Sequence, residues 1–590
     1  MSSRKRMRLV LIKPSHYDDD GYVISWWRSI VPANSLACVH GLVREAIANQ
    51  ALGPDWDFDV VALDETNTTI RPDRLAKACL AADASMVMLV GVQSNQFMRA
   101  LHIAQGFRKF GITVGIGGFH VSGTLAMLPT IEPNVQKALD MGCFLFAGEA
   151  EEGRLAGVLR DAVNGELKPI YNYMNELPGL EGAARPYLTA DIVGRTFGSV
   201  TSLDAGRGCP YQCSFCTIIN VQGRKSRRRS IEDIEKIVRE NAAQGIQKFF
   251  ITDDNFARNK DWEAIFDKLA ELRAEGILCK FTIQVDVQCH KLPNFIKKAR
   301  KAGVRWCFIG LENISPDNLL AAKKRQNKIT EYRKMLLAWK KERIVTYCGY
   351  ITGFPADTPE RLKRDVATAQ RELPLDILEF FYLTPLPGSE DHQKAFKAGA
   401  AMDPDLNKYD LNHVVLDHPH MSKAEWEKLY MDCWKDYYSK EHMERVMRRN
   451  AALGVSTNNV QFLLGWFSGA LFIEDVHPLE CGLFRRKARL NRRPELPVEP
   501  IWSFYPKFWA ETAAKAVRWA RLMGWCWLRS RAIERDPDKL DYTDVAITPV
   551  DDHEEEREMF QTEEAHAFVV EQRRFDKLKT EAAGRVAEKV

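Results

Sequence analysis

Cys209, Cys213 and Cys216 stand together in the stretch RGCPYQCSFCTI, while the other cysteines of the chain's thirteen are mostly isolated. No export signal is read at the N-terminus: MSSRKRMRLVLIKPS is basic, then briefly apolar, and runs straight into Lys13 and Pro14. The chain is therefore expected in the cytoplasm. Thiols stay reduced there, and crowded cysteines read as metal ligands rather than disulfide partners. Structural zinc normally takes four ligands, usually as two separated pairs. Here one loop offers three, and no second pair is spaced to match. Three thiolates on a cubane 4Fe-4S cluster leave one iron without a protein ligand, open to a substrate. A zinc site and three unrelated core cysteines are the alternatives.

Such a loop needs a rigid mount. The 590 residues are 45% hydrophobic and 27% charged, ample for several cores. Over 1–165, the runs RLVLIKP, FDVVALDE, ASMVMLVGV, ITVGIGG and CFLFAG alternate with helix-like stretches. Short apolar runs of this kind suit buried parallel strands, so a doubly wound, Rossmann-like α/β domain is expected. After a linker at 166–190, residues 191–395 alternate again through SVTSLDAG, KFFITDD, FTIQVDV, RWCFIGLEN, TYCGYITGF and ILEFFYLTPL. Six such units can curl into a partial (β/α)6 barrel of the TIM type. Chemistry on such folds gathers where strands run out into loops, and the cysteine loop follows the first strand. Ser230 is placed to cap the helix that begins SIEDIEKIV.

The spacing of the cysteines with Phe215, together with later motifs in order, closely resembles the radical S-adenosylmethionine (SAM) superfamily. CPYQCSFC matches its cluster loop, ITDDNF its polar strand end, FIGLENIS and GYITGFPADT its fourth and fifth barrel strands, and LTPLPGSE the end of its sixth. The resemblance implies that Cys209, Cys213 and Cys216 hold a 4Fe-4S cluster. It places Phe215, Asp253, Asp254, Asn255, Glu312, Gly349, Gly353 and Pro355 around SAM, with Asp253 and Asp254 toward its ammonium group. The implied reaction is reductive cleavage of SAM to a 5′-deoxyadenosyl radical, which takes a hydrogen atom from substrate. An external donor of the flavodoxin or ferredoxin kind is implied as well. Other readings stay open: Asp253–Asn255 as turn chemistry, Glu312 as a structural ion-pair partner, and Gly353–Pro355 as a turn former.

The first domain resembles the cobalamin-binding domain found ahead of many such barrels, through VGVQSNQFMRALHIAQGFRKFGITVGIGGFHVS and LFAGEAEEG. Val92, Gln93, Ser94, Gly117, Gly118, His120, Gly148 and Glu149 form the expected corrin-facing set. The glycine pair would let backbone approach a flat ligand closely. The Asp-x-His-x-x-Gly motif, whose histidine serves as lower cobalt ligand, is missing; His120 lacks the aspartate two residues before it. If cobalamin binds, the implied reaction is methyl transfer from methylcobalamin to a substrate carbon. Cyclisation or oxidation, with or without corrin, is the alternative, as is a domain that has lost its corrin and only buttresses the barrel. A non-enzymatic iron–sulfur or corrin sensor is a third reading.

The region 396–535 reads as helical, and 536–590 as a charged tail, exposed or partly disordered. HPLECGLFRRKARLNRRPELP reads either as a solvated basic face or as a site for an anionic partner, and the Trp-, Arg- and Lys-rich 502–531 as packing against a neighbouring domain or a peripheral membrane contact. FLLGWFSGALFI is too short to cross a bilayer and reads as a buried helix. A net charge of +4 gives little support for nucleic acid as a partner. The substrate class is small-molecule or lipid.

Overall fold

The computed structural model describes residues 4–551, 554–572 and 574. It is an α/β structure containing two six-stranded parallel sheets. The first contains β1 (Lys5–Lys13), β2 (Trp56–Asp64), β3 (Ala84–Leu89), β4 (Thr113–Gly117), β5 (Phe144–Ala147) and β6 (Ile170–Asn172). Their order is β2-β1-β3-β4-β5-β6. β1 shows why the runs are apolar on both faces. Val10 and Ile12 pack with Phe97 and Ile103 on one side, while Leu9 and Leu11 pack with Leu36 and Val43 on the other. Strand order reverses between β1 and β3, which opens a crevice at the C-terminal strand ends. β6 falls in the stretch expected to be a linker.

The second sheet contains β7 (Val200–Leu203), β8 (Lys248–Ile251), β9 (Lys280–Val285), β10 (Val304–Glu312), β11 (Val345–Thr352) and β12 (Ile377–Tyr382), paired in order of sequence. All six expected runs become strands. Here the two faces differ. Phe249, Phe281, Ile283, Cys307, Ile309 and Cys348 are buried in the core beneath the helices. The alternate residues Phe250, Thr282, Gln284, Trp306 and Phe308 are only half-buried, so the inner face opens onto a chamber. Ser230 caps the helix Ile231–Ala243 by accepting from the Asp233 N–H at 3.1 Å.

The C-terminal region holds the helices Lys423–Tyr437, Lys440–Ala452, Thr457–Glu474 and Ile501–Arg535. Thr457–Glu474 contains the expected buried segment. The region is not purely helical: Gly482–Arg486 pairs antiparallel with Ser25–Ser29, some 450 residues away in the chain by the register Gly482 to Ser29. The basic run is accordingly not a solvated face. Arg485 pairs with Asp18 at 2.7 Å, Lys487 with Asp20 at 3.1 Å, and Arg493 with Asp405 at 2.6 Å. The charged tail also packs where it is described. Asp544 takes Arg449 at 2.7 Å, and Met559 and Phe560 are buried. The expectation for 575–590 lies outside the described residues.

Candidate active site

The cysteine loop leaves the C-terminal end of β7 inside a short hairpin, in which Gly206–Arg207 pairs with Arg227–Arg228. It is tied down at several points. The Gly208 N–H donates to Asp254 Oδ2 at 2.8 Å, the Cys209 N–H to Gly223 O at 3.2 Å, and Ser214 Oγ to Asp391 Oδ2 at 3.1 Å. Burial pushes the Cys209 thiol up to about 11 and the Cys216 thiol up to about 12, the latter helped by the charge of Cys213. Thiolates in this place need a cation to balance them. Three cysteines on one loop, with no fourth ligand set beside them among the described residues, fit a 4Fe-4S cluster that keeps one iron free of protein.

Beside the loop, Glu312 ends β10 with a left-handed backbone, φ +66°, at a register slip against β11. Its carboxylate pairs with Lys324, whose Nζ lies 5.7 Å from the centre of the Phe215 ring. Glu312 occupies the space left by Gly310, where a Cβ would sit 2.7 Å from Oε1, and its Oε2 lies beside Gly349, 3.7 Å from where that residue's Cβ would be. Phe215, Lys324, Glu312 and Gly349 are thus brought together. Asp253 is buried. Its Oδ2 accepts from Asn259 at 2.9 Å and its Oδ1 has no partner. Burial raises the carboxyls of Asp253 and Asp254 to about 7. Asn255 is engaged with Asp286, donating to Oδ2 at 2.9 Å. Gly353 and Pro355 lie in the turn that follows β11, on either side of Phe354, which is buried with Ile351 and Ala322 against Phe215. The N–H groups of Gly353 and Phe354 both donate to Asp357 Oδ2, the Trp426 ring fills the space a Cβ on Gly353 would need, and Pro355 is exposed. These contacts are those of a turn.

On the first sheet, a cavity of about 180 Å³ lies at the C-terminal ends of β3, β4 and β5. Gly117, Gly118, Gly148 and Glu149 line it, over an apolar floor that includes Phe144 and Phe146. Val92, Gln93, Ser94 and His120 do not. Gln93 caps the helix Ser94–Arg108, and His120 is fully buried, with Nδ1 at 3.1 Å from Ser94 Oγ and its ring against Phe97. Among the described residues, no histidine lines this cavity. A Cβ on Gly118 would meet Val92 N at 2.1 Å, so that residue is small for the neighbouring backbone rather than for a ligand. The glycine-rich, aromatic floor fits the face of a flat ligand.

The far wall of this cavity is Arg207, Val221 and Gln222 from the cysteine loop and its flanks. Arg207 binds Glu149 at 2.6 Å, Glu151 at 2.7 Å and Asp204 at 2.7 Å, while Arg227 also holds Glu149. Burial opposes the charge on Arg207, but Asp204, Glu151 and Glu149 outweigh it and hold its pKa well above the ordinary value. A second polar junction joins His16, Asp410 and Glu480, whose ligand atoms lie within 4.8 Å of one another. Its carboxylates already have partners, Asp410 in His413 at 3.0 Å and Glu480 in Asn95 at 3.0 Å.

Sequence reasoning missed Arg207, Lys324 and Glu379. Glu379 pairs in register with Gly349 and stands two residues before Phe381, so it faces the inner side of the second sheet. It is fully buried, neither carboxyl oxygen has a partner, and burial alone raises it to about 8. The signal was a lone charge inside the apolar run ILEFFY.

Residues 204–369 match the model of the Radical SAM superfamily. Bacteriochlorophyllide d C-8(2)-methyltransferase of Chlorobaculum tepidum is 27% identical over 354 residues, covering 56% of this chain and 72% of that protein. Hopanoid C-2 methylase of Rhodopseudomonas palustris is 26% identical, covering 47% of this chain and 51% of that protein. Among solved structures, the radical SAM methyltransferase TsrM of Kitasatospora setae, with cobalamin and a 4Fe-4S cluster bound, aligns with TM-score 0.51 at 16% identity, over 73% of this chain and 85% of that one. The cobalamin-dependent radical SAM enzyme OxsB, with aqua-cobalamin bound, aligns with TM-score 0.51 at 15% identity, over 92% and 82%. At these identities the two structures speak to fold.

Proposed function

Because residues 204–369 match the Radical SAM superfamily model, we propose that the chain is a cobalamin-dependent C-methyltransferase acting on a small-molecule or lipid substrate. The observation that carries this reading is the shared wall. The cysteine loop that fits a cluster also closes the cavity that fits a corrin, through Arg207, Val221 and Gln222. In this reading residues 1–165 are the corrin-side unit, 191–395 a partial barrel on the SAM side, and 396–535 a helical cover.

A reduced cluster supplies the electron that cleaves SAM to the 5′-deoxyadenosyl radical, and a bound corrin supplies a carrier for the methyl group. The chain's own residues do the rest. Cys209, Cys213 and Cys216 hold the cluster. Asp253 and Asp254, once ionised, attract the ammonium group of SAM through charge-assisted hydrogen bonds. Phe215 and Gly349 offer a flat, close surface to its adenine, and the Lys324–Glu312 pair sets the polar edge. Gly117, Gly148 and Glu149 line the corrin side. The half-buried Phe250, Trp306 and Phe308 keep water from the chamber where a carbon radical would form. An external donor of the flavodoxin or ferredoxin kind supplies the electron.

The test is made on protein produced with cobalamin supplied and purified without oxygen. Near-stoichiometric corrin, with S-adenosylhomocysteine formed during turnover, is expected. An intact cluster with no corrin would replace this reading with corrin-free radical chemistry, and corrin without S-adenosylhomocysteine would replace it with cyclisation or oxidation.

A further inference from the structure

The helix Ile501–Arg535 is apolar on two sides. Its inner side packs on Thr457–Glu474: Met523 lies against Gly465, Trp519 against Gly469, and Trp519 Nε1 donates to Glu474 at 2.8 Å. Its outer side leaves Trp502 79%, Trp509 63%, Trp527 50% and Leu528 63% exposed. At about 100° per residue, Trp502, Trp509, Ala513, Ala520 and Trp527 fall within roughly 40° of one another, along about 38 Å of helix. Between Trp502 and Trp527 the one carboxylate is Glu511, on the far side. Arg521, Arg531 and Arg535 are exposed within about 100° of the stripe, and Arg531 lies over the Trp527 ring at 5.6 Å.

A second element continues the surface. Phe484 is 62% exposed although its φ is +55°, a conformation that a bulky side chain adopts only at a cost. Its ring lies 5.9 Å from Trp27, itself 44% exposed, and both share a groove with Trp509. Arg28 stacks over Trp27 at 4.8 Å. Indole rings beside basic side chains are the composition of a bilayer interface, where the ring sits among the headgroups and the cation meets lipid phosphate. No helix among the described residues is long and apolar enough to cross a membrane. A bound bilayer would therefore lie along this helix rather than around it.

We propose that the outer face of the helix Ile501–Arg535, with Trp27 and Phe484, binds the surface of an anionic lipid bilayer. The charge pattern selects this occupant: the stripe is apolar, Arg521, Arg531 and Arg535 lie on its exposed flank, and no acidic group between Trp502 and Trp527 falls on it to oppose lipid phosphate. The inference stands apart from the reaction proposed above and survives if that reaction proves not to be methylation.

The experiment uses the full chain with its cluster, floated with vesicles of phosphatidylcholine alone or with about 30 mol% phosphatidylglycerol. Wild type is expected to float with the anionic vesicles and to be released by salt. The W502S/W509S/W527S variant is expected to bind at least about tenfold more weakly. R521S/R531S is expected to lose the preference for phosphatidylglycerol while keeping its cluster absorbance. Wild type that stays with neither vesicle overturns the proposal, as does a triple variant that floats like wild type. A dimer dissociated by the three Trp substitutions, with no vesicle binding, would overturn it in favour of a second copy of the chain on this face.

Discussion

At Asp253 and Asp254 two carboxyls are held near the boundary between charged and neutral at the pH of the cell. Below about 7 they are protonated and offer the SAM ammonium no charge; above it they are carboxylates. SAM affinity is expected to rise by up to about tenfold from pH 6 to pH 8, and the D253N and D254N variants should flatten that rise. Equilibrium dialysis of SAM at the two pH values reads this. A pH-independent wild type would remove the two aspartates from the ammonium site. Glu379 carries a stability consequence. Its folded pKa is raised, so the stability it lends is complete below the unfolded value and is lost as pH climbs through about 8. Glu379→Gln removes the ionisation. Between pH 5 and pH 9 the variant should gain roughly 3–5 kcal/mol on wild type in urea unfolding. The cysteines were legible in the sequence because three thiols in one loop have few uses. Glu379 was not, because one charge in an apolar strand acquires meaning only once the strand's inner face is known.

In the turn after β11, Asp357 draws the backbone inward and Trp426 closes over Gly353. With φ at +90° and an indole in the path of any Cβ, Gly353→Ala should cost about 3 kcal/mol or more and lower the melting temperature. A variant that melts like wild type would mean the Trp426 packing is loose. The strands of both sheets were readable because apolar runs of this length, separated by charged helices, have one economical arrangement. The pairing of Ser25–Ser29 with Gly482–Arg486 was not. Each strand is short, and the acidic turn that attracts the basic strand lies at the opposite end of the chain.

Across the whole molecule, the first sheet and the cysteine loop meet through Arg207. Arg207→Met leaves Asp204, Glu149 and Glu151 buried, with Arg227 and Arg229 to share among them. A loss of about 3 kcal/mol is expected, seen as earlier urea unfolding and faster proteolysis between the two sheets. Unchanged unfolding would show that the remaining arginines suffice. The same junction makes the loop a party wall. Arg207, Val221 and Gln222 bracket the three cysteines in the chain and line the cavity at the ends of β3, β4 and β5, so whatever reseats the cysteines also reshapes that cavity.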